Sequence, residues 1–322
     1  MAIPRRSSIG YLLALALVAC GPPERPEAVW VTIPHGSSAE DIADSLAAHE
    51  LVSSPGSFLW FVKFKGATDS LLPGSYQLHT GMSPLALVET LKQGHAFMEP
   101  LQLPPGLWLS EVGPYVERQL GIPADSFTAA AQDSNRAADL AARGSTLEGY
   151  LPPGSYLVRS GATADEVVSV LVEQFESSWR PEWNRRLEVL GLSRDQLVTL
   201  ASIVEGEGGI PGEAPVIASV YYNRLARGMR LQADPTVVYG LGRRRRLYHK
   251  DYDRPSPYNT YRIDGLPPAP IGNPSMTSIE AALYPADTDY LYFVASRNGS
   301  HEFSLTYSEH LDRITSIRSV GF

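Results

Sequence analysis

The segment Leu72-Pro73-Gly74-Ser75-Tyr76, followed by Gly81 and Ser83, returns as Pro152-Pro153-Gly154-Ser155-Tyr156, Gly161 and Thr163, a spacing of 80 residues. Upstream, Ile33-Pro34-His35-Gly36 and Ser57-Phe58 are echoed by Leu103-Pro104-Pro105-Gly106 and Ser126-Phe127, at a spacing of 70 or 69. Self-similarity at a near-fixed period marks repeated supersecondary units, and the pattern predicts two copies of strand, helix, helix, strand, helix. In the first copy residues 30–33 are β-rich, Ser38 caps a helix carrying Ile42 and Leu46, residues 74–78 form a second strand, and Ser83-Pro84 opens a helix that Gly94 ends. After the second copy, residues 164–190 read as helical, with Trp179 and Trp183 bracketing Pro181 as packing residues.

Residues 200–241 set acidic residues on an apolar helix and follow them with a polar segment. Ser193 caps that helix with Gln196 at the third position, and Leu197, Leu200, Ala201 and Val204 form one core-facing stripe. Glu205 and Glu207 close it. At about 100° per residue, positions two apart point almost oppositely, so at most one of them enters a given cleft. Glu207 follows the bulky Ile203 and Leu200, whereas Glu205 lies over Ala201 and Val198, and desolvation by bulky neighbours favours a protonated Glu207. Gly208 and Gly209 end the helix, which sets Glu207 against the negative end of the macrodipole. A general acid needs that proton at neutral pH. Spacing alone leaves two solvated glutamates at a helix end as the plainer reading.

A further helix starts near Pro215 and stops at Gly228. Residues 231–239 then alternate as a strand, with Gln232, Asp234 and Thr236 on one mostly polar face. Such a face suits sugar hydroxyls, or is simply solvated. Tyr258, Asn259 and Tyr261 combine aromatic surface with an amide, which suits a pyranose ring, or they line a loop with its tyrosines in the core. The tail from residue 278 predicts a helix, a strand at 290–295, a turn at Asn298-Gly299 and a strand at 301–305.

From residue 200 onward the chain resembles the endolytic murein transglycosylase family, MltG or YceG-like. The blocks are LASIVEGE at 200–207, Asn223-Arg224-Leu225, GMRLQADPTVVYGL at 228–241, PYNTY at 257–261, GLPPAPIGNP at 265–274 and YLYFV at 290–294, with LEGYLPP at 147–153 upstream. The resemblance implies that the second glutamate of the pair, Glu207, is catalytic. It also implies substrate contacts at Gln232, Asp234, Thr236, Tyr258, Asn259 and Tyr261, with Glu148 as a candidate cleft residue. In the family one glutamate protonates the glycosidic oxygen and then takes the proton of the muramic acid 6-hydroxyl, which attacks its own anomeric carbon and leaves a 1,6-anhydro end within the strand. The chain departs from the family at Gly206, Gly208 and Gly209, where Lys, Thr and another residue are usual. The first part is similar to a LysM-like module, which implies glycan binding, or a role as a spacer.

At the start, Arg5 and Arg6 precede an apolar run over residues 9–19, too short to span a bilayer but right for a signal-peptide core. It ends in Leu17-Val18-Ala19-Cys20, which resembles a lipobox, and Cys20 is the only cysteine, so it has no internal disulfide partner. These features predict an extracytoplasmic protein held to a membrane through a lipid on Cys20, in the periplasm or its equivalent. Without residues 1–20, 25 basic side chains face 35 acidic ones, a balance that argues against nucleic-acid binding. The run Arg243-Arg244-Arg245-Arg246 is the local exception, either a solvated loop or a contact for anionic groups of a wall polymer. His301 and His310 stand too far apart to suggest metal ligands, and neither a metal nor a cofactor is implied.

The expected class is α+β: a leader over 1–19, a linker over 20–28, a LysM-like α/β module over 29–97, a second α/β unit over 98–190 that partly repeats it, and a mixed catalytic core over 191–322. The expected function is a lytic transglycosylase acting on peptidoglycan glycan strands, a terminator of nascent strand elongation beside peptidoglycan synthases. Two other classes stay open, a hydrolase in which Asp234 activates water and a non-catalytic wall-binding lipoprotein.

Overall fold

In a computed structural model of the chain, the described residues are 28–319, apart from 35, 94–97, 141, 143 and 211. The leader, Cys20 and Gly94 lie outside them. Among the described residues the protein mixes helices with three separate two-stranded antiparallel ribbons, an α+β architecture. Among the described residues no helix is long and apolar enough to cross a membrane. The chain divides into two compact units, one through Ala96 and one from Phe97.

In the first unit β1 (Ala28–Ile33) pairs with β2 (Gly74–His79), with Val31 opposite Tyr76. Between them lie α1 (Ala39–Ala48) and α2 (Pro55–Phe64), and α3 (Pro84–Gln93) follows. The starts of both helices are legible: Ser38 and Asp41 close a reciprocal capping box, and Ser54 caps α2 ahead of Pro55. Val31, Ile33, Ile42, Leu46, Phe58, Val62, Tyr76, Leu78, Leu87 and Leu91 bury one small core.

The second unit opens on β3 (Met98–Leu103), α4 (Leu109–Leu120), α5 (Ala124–Ala131), the short α6 (Ser134–Asp139), β4 (Gly154–Arg159) and α7 (Ala164–Ser178). Its ribbon matches the first in detail, since Leu101 faces Tyr156 as Val31 faces Tyr76. The phenol of Tyr76 donates to the Leu72 carbonyl at 2.6 Å, and that of Tyr156 donates to the Pro152 carbonyl. The echoed Pro-Gly-Ser-Tyr segment therefore encodes a buried tyrosine that folds back on the loop before its own strand, satisfying a carbonyl that no ladder reaches.

There follow α8 (Pro181–Leu190), α9 (Arg194–Glu207), α10 (Ala214–Ala226), α11 (Asp234–Gly240), α12 (His249–Tyr252), α13 (Met276–Leu283), β5 (Tyr292–Ala295), β6 (His301–Ser304) and α14 (Tyr307–Ser319). One hydrophobic core runs from Leu101 on β3 to Leu283 on α13, so the repeat-like half and the region after residue 190 share an interior. Trp183 is sealed in it, edge-on to Trp179.

At its centre α9 starts as expected, with Ser193 and Gln196 in a capping box. The single apolar stripe expected for it is a correction. Asp195, Thr199 and Ser202 are buried as well as Leu197, Val198, Leu200, Ala201, Ile203 and Val204, because α8, α10, α11 and α13 pack around the helix. Its buried hydroxyls are used internally: Thr199 donates to the Asp195 carbonyl, and Ser202 donates to Thr199 and accepts the Ile271 N–H.

The expected strand over 231–239 is also corrected. Residues 231–233 run without regular structure and α11 begins at Asp234. Pro235 decides this, because it has no N–H for a ladder and its fixed φ suits the first helical turn.

Candidate active site

Glu207 is the last residue of α9, and Gly208 turns the chain away with φ at 73°. Two cavities meet at Glu207 and Asp234, which line both. The narrower, about 310 Å³, is walled by Trp108, Arg244, Gly206 and Ile271. The wider, about 620 Å³, is walled by Arg224, Gln232, Tyr261, Tyr292 and His301. The result is a cleft with one arm on each side of a carboxyl, the layout needed to grip a polymer on both sides of the bond to be cut.

Glu207 Oε1 accepts the phenol of Tyr221, on α10, at 2.5 Å. Burial raises its pKa from 4.5 to about 7, and the nearby Asp234 charge adds to the rise, while the Tyr221 hydrogen bond and Arg224 oppose it. The carboxyl thus keeps its proton near neutrality. Glu205 points elsewhere, as the helical geometry requires: its Oε2 accepts the N–H and hydroxyl of Ser275, the N-cap of α13, at 2.9 and 2.6 Å. The two glutamates divide into one cleft acid and one helix clasp.

Asp234 is held by two phenols, Tyr261 at 2.7 Å and Tyr252 at 3.3 Å. Gly206 lets α11 come this close, for a Cβ there would sit 2.8 Å from Pro235 Cβ. The glycine that departs from the expected motif thus seats Asp234 beside Glu207.

Of the other residues singled out in the sequence, Gln232 and Tyr261 line the wider arm. Thr236 and Asn259 do not reach the cleft, which corrects their assignment as sugar contacts. Thr236 is fully buried, bonded to the Ala233 carbonyl and to Thr260. Asn259 donates to the carbonyls of Tyr252 and Arg254 and accepts the Tyr261 N–H, which shapes the loop that carries Tyr261. Tyr258 packs edge-on to Tyr239 and lines neither arm.

Glu148 is likewise set back from the cleft. It accepts the Leu109 N–H at the start of α4 and the phenol of Tyr239, which stands edge-on to Trp108. Burial pushes its carboxyl up to about 7. Its effect on the cleft passes through Trp108, whose position it helps to fix.

Within the arginine run, Arg244 pairs with Glu111 through two bonds of 2.6 and 2.7 Å, lies over the Trp108 ring and reaches the narrower arm. Arg245 pairs with Asp251. Neither is a free loop cation. Tyr221 and Trp108 are site residues that motif spacing did not single out, whereas Arg244 stood out only as part of the arginine run and His301 only as a histidine too far from His310 to share a metal. The one available signal was Tyr221, a phenol on the apolar face of α10 that needs a partner for its hydroxyl.

The profile of the YceG-like family matches residues 31–316. The chain is 34% identical over 299 residues to an endolytic murein transglycosylase of Bacillus subtilis (strain 168), covering 87% of this chain and 82% of that protein. It is 29% identical over 317 residues to one of Streptococcus pneumoniae serotype 2, of whose length it spans 57%. A crystal structure of a yceG-like protein from Listeria monocytogenes aligns with a TM-score of 0.61 and 32% identity, over 90% of this chain and 100% of that one. With a carboxyl held near neutrality at the junction of a two-armed cleft, and with these likenesses running through nearly all of the described residues, the chain belongs to the YceG-like family.

Proposed function

We propose that the protein cleaves the β-1,4 bond between N-acetylmuramic acid and N-acetylglucosamine inside peptidoglycan glycan strands, as a lytic transglycosylase. The observation that carries this reading is Glu207, a buried carboxyl with its pKa pushed up to about 7, where the two arms meet. Glu207 gives its proton to the leaving glycosidic oxygen and the C1–O4 bond breaks, leaving positive charge at C1 that Asp234 faces. The oxygen of the C6 hydroxyl then bonds to C1 as its proton passes to the Glu207 carboxylate, which restores the acid and leaves a 1,6-anhydro end. Mass spectrometry of products from purified wall tests this. Anhydro ends within the strand are expected, whereas reducing ends would make the enzyme a hydrolase.

The acid requirement fixes a pH dependence. Only the protonated form of Glu207 can act, so kcat/KM should fall about tenfold per unit as pH rises beyond about 7. A profile that stays flat to pH 9 would remove Glu207 from the acid role.

On α2 of the first unit, Trp60 and Phe64 are 67% and 71% exposed and stacked 5.4 Å apart, an apolar plate suited to a sugar ring, and we assign wall binding to this face. From the leader sequence we infer a protein outside the cytoplasmic membrane, anchored through Cys20, and we assign it the ending of nascent strands beside a synthase. Cys20→Ala should abolish detergent partitioning and fatty-acid labelling while leaving glycan cleavage by the variant unchanged. Labelling of the variant would refute the anchor.

A further inference from the structure

A second groove, of about 590 Å³, lies beside the narrower arm and has no part in the acid mechanism. It forms where the β3–β4 ribbon ends, at the pair Leu103 and Gly154, and its walls include Pro104, Pro105, Pro153, Tyr115, Arg118 and Ser275. No acidic residue lines it. Arg118, on α4, is exposed, lies over the Tyr115 ring at 4.6 Å and makes no ion pair among the described residues, whereas Arg244 and Arg245 are both held by carboxylates. The edge of β3 is already filled here, since the Gln102 N–H donates to Gln119 Oε1 at 2.9 Å and the Gln102 carbonyl accepts from Nε2 at 3.0 Å. An occupant is therefore gripped by a cation, a phenol ring and proline faces rather than by strand pairing.

The groove and the cleft share their walls. The loops over 104–107 and 272–275 are bonded to each other, the Gly106 N–H to the Asn273 carbonyl at 3.2 Å and the Asn273 N–H to the Leu107 carbonyl at 2.9 Å. Each lines the narrower arm with a glycine, Gly106 and Gly272, and the groove with a residue close by in the chain, Pro105 and Ser275. The catalytic helix joins them as well, because Gly206 lines the arm while Glu205, one residue earlier, holds Ser275. A branch that leaves a strand on this side of the arm crosses only the paired loops to reach the groove. Every second sugar of a glycan strand carries such a branch, the peptide stem of muramic acid, so a stem hangs either from the sugar in the narrower arm or from the one beyond it. Four or five residues reach about 13–18 Å when extended. The alanine methyls of the stem suit the proline and tyrosine faces, and its free carboxylates suit Arg118.

We propose that this groove binds the peptide stem, with Arg118 pairing a stem carboxylate, so that the protein selects strands that still carry their stems over stripped ones. This rests on the transglycosylase reading above. No bond is made or broken in the groove, which holds the branch while Glu207 acts on the sugar backbone.

The test uses full-length protein in detergent and uncross-linked glycan strands, either intact or stripped of their stems by an amidase that leaves the sugars unchanged. Wild-type kcat/KM should be about tenfold higher on intact strands, the effect of one charge-assisted hydrogen bond at an exposed arginine, and the difference should enter through KM. Arg118→Ala should bring this ratio close to one, Arg118→Lys should keep most of it, and Arg118→Glu should invert it. Added salt should erode the ratio of the wild type but not that of Arg118→Ala. Cosedimentation of the Glu207→Gln protein with the two kinds of strand should show the same preference without any cleavage. Circular dichroism checks that the variants fold, which the exposure of Arg118 favours. A wild-type ratio of one or less, or Ala and Glu variants that keep the wild-type ratio, overturns the proposal. Reducing ends from both kinds of strand, or no cleavage of either, would instead overturn the transglycosylase reading, while the cosedimentation ratio would still decide whether the groove binds the stem.

Discussion

Replacing Glu207 with glutamine is expected to lower glycan cleavage by about 100- to 10,000-fold with the fold intact, because the amide keeps the shape and accepts the Tyr221 phenol but has no proton to give. Stability gives a second readout. The native carboxyl titrates near 7 against 4.5 for an ordinary glutamate, so the folded protein binds the extra proton between those values. Its contribution is complete below about 4.5 and is lost as pH rises through 7. Glu207→Gln removes that dependence, and its stability should fall less than that of the wild type between pH 5 and 8.

Glu205→Gln supplies the contrast. Its Oε2 accepts both bonds from Ser275 at the start of α13, and an amide oxygen in that place can accept both without the charge, so the cost is about 1 kcal/mol of stability or less with activity nearly retained. Both variants belong in one assay on one wall preparation, with circular dichroism checking the fold. An active Glu207→Gln protein, or loss of cleavage by Glu205→Gln alone, would move the catalytic role off Glu207.

What the sequence disclosed about this site was local. The Ser193 capping box, the glycine stop at Gly208 and the opposed directions of Glu205 and Glu207 follow from residues within one helix, and they stand in the structure as read. The same holds for β5 and β6 and the turn between them. The misreadings came where tertiary packing overrides periodicity. The alternation from Leu231 to Tyr239 looked like a strand, but Pro235 starts a helix there, and Thr236 turns inward to Thr260.

In PYNTY, side-chain type suggested sugar contacts, yet Asn259 is consumed by the carbonyls of its own loop because that loop is buried and its backbone must be satisfied. Tyr221 and His301 could not be placed by spacing, since each earns its position from elements that meet only in the folded unit. Glu148 shows the same limit. The LEGYLPP block marked it as a cleft residue, whereas its carboxyl works one layer behind, on Leu109 and Tyr239.

The residue in that block with the largest structural consequence is Gly149. Its φ is 92°, and a Cβ would fall 2.6 Å from Pro270 Cγ, 2.7 Å from Pro270 Cβ and 2.9 Å from Val198 Cγ1, on α9 itself. Its N–H is held by Asn273 Oδ1, which also accepts the Leu151 N–H while Nδ2 donates to the Leu107 carbonyl, so the chain has no slack to back away. Gly149→Ala therefore adds the left-handed backbone penalty, about 1–2 kcal/mol, to overpacking of about 1–3 kcal/mol. The expected loss of roughly 2–5 kcal/mol is a large part of the 5–15 kcal/mol typical of a folded domain. Gly121 is the control, since it ends α4 with φ at 69° and a Cβ there meets nothing within 4 Å. Gly121→Ala should lose only the backbone part, about 1 kcal/mol. Urea denaturation of the protein without residues 1–20 should show a clearly lower midpoint for Gly149→Ala than for Gly121→Ala at unchanged slope. Equal midpoints would mean that the contact of this loop with Pro270 and α9 is loose, and that the catalytic helix is not braced from this side.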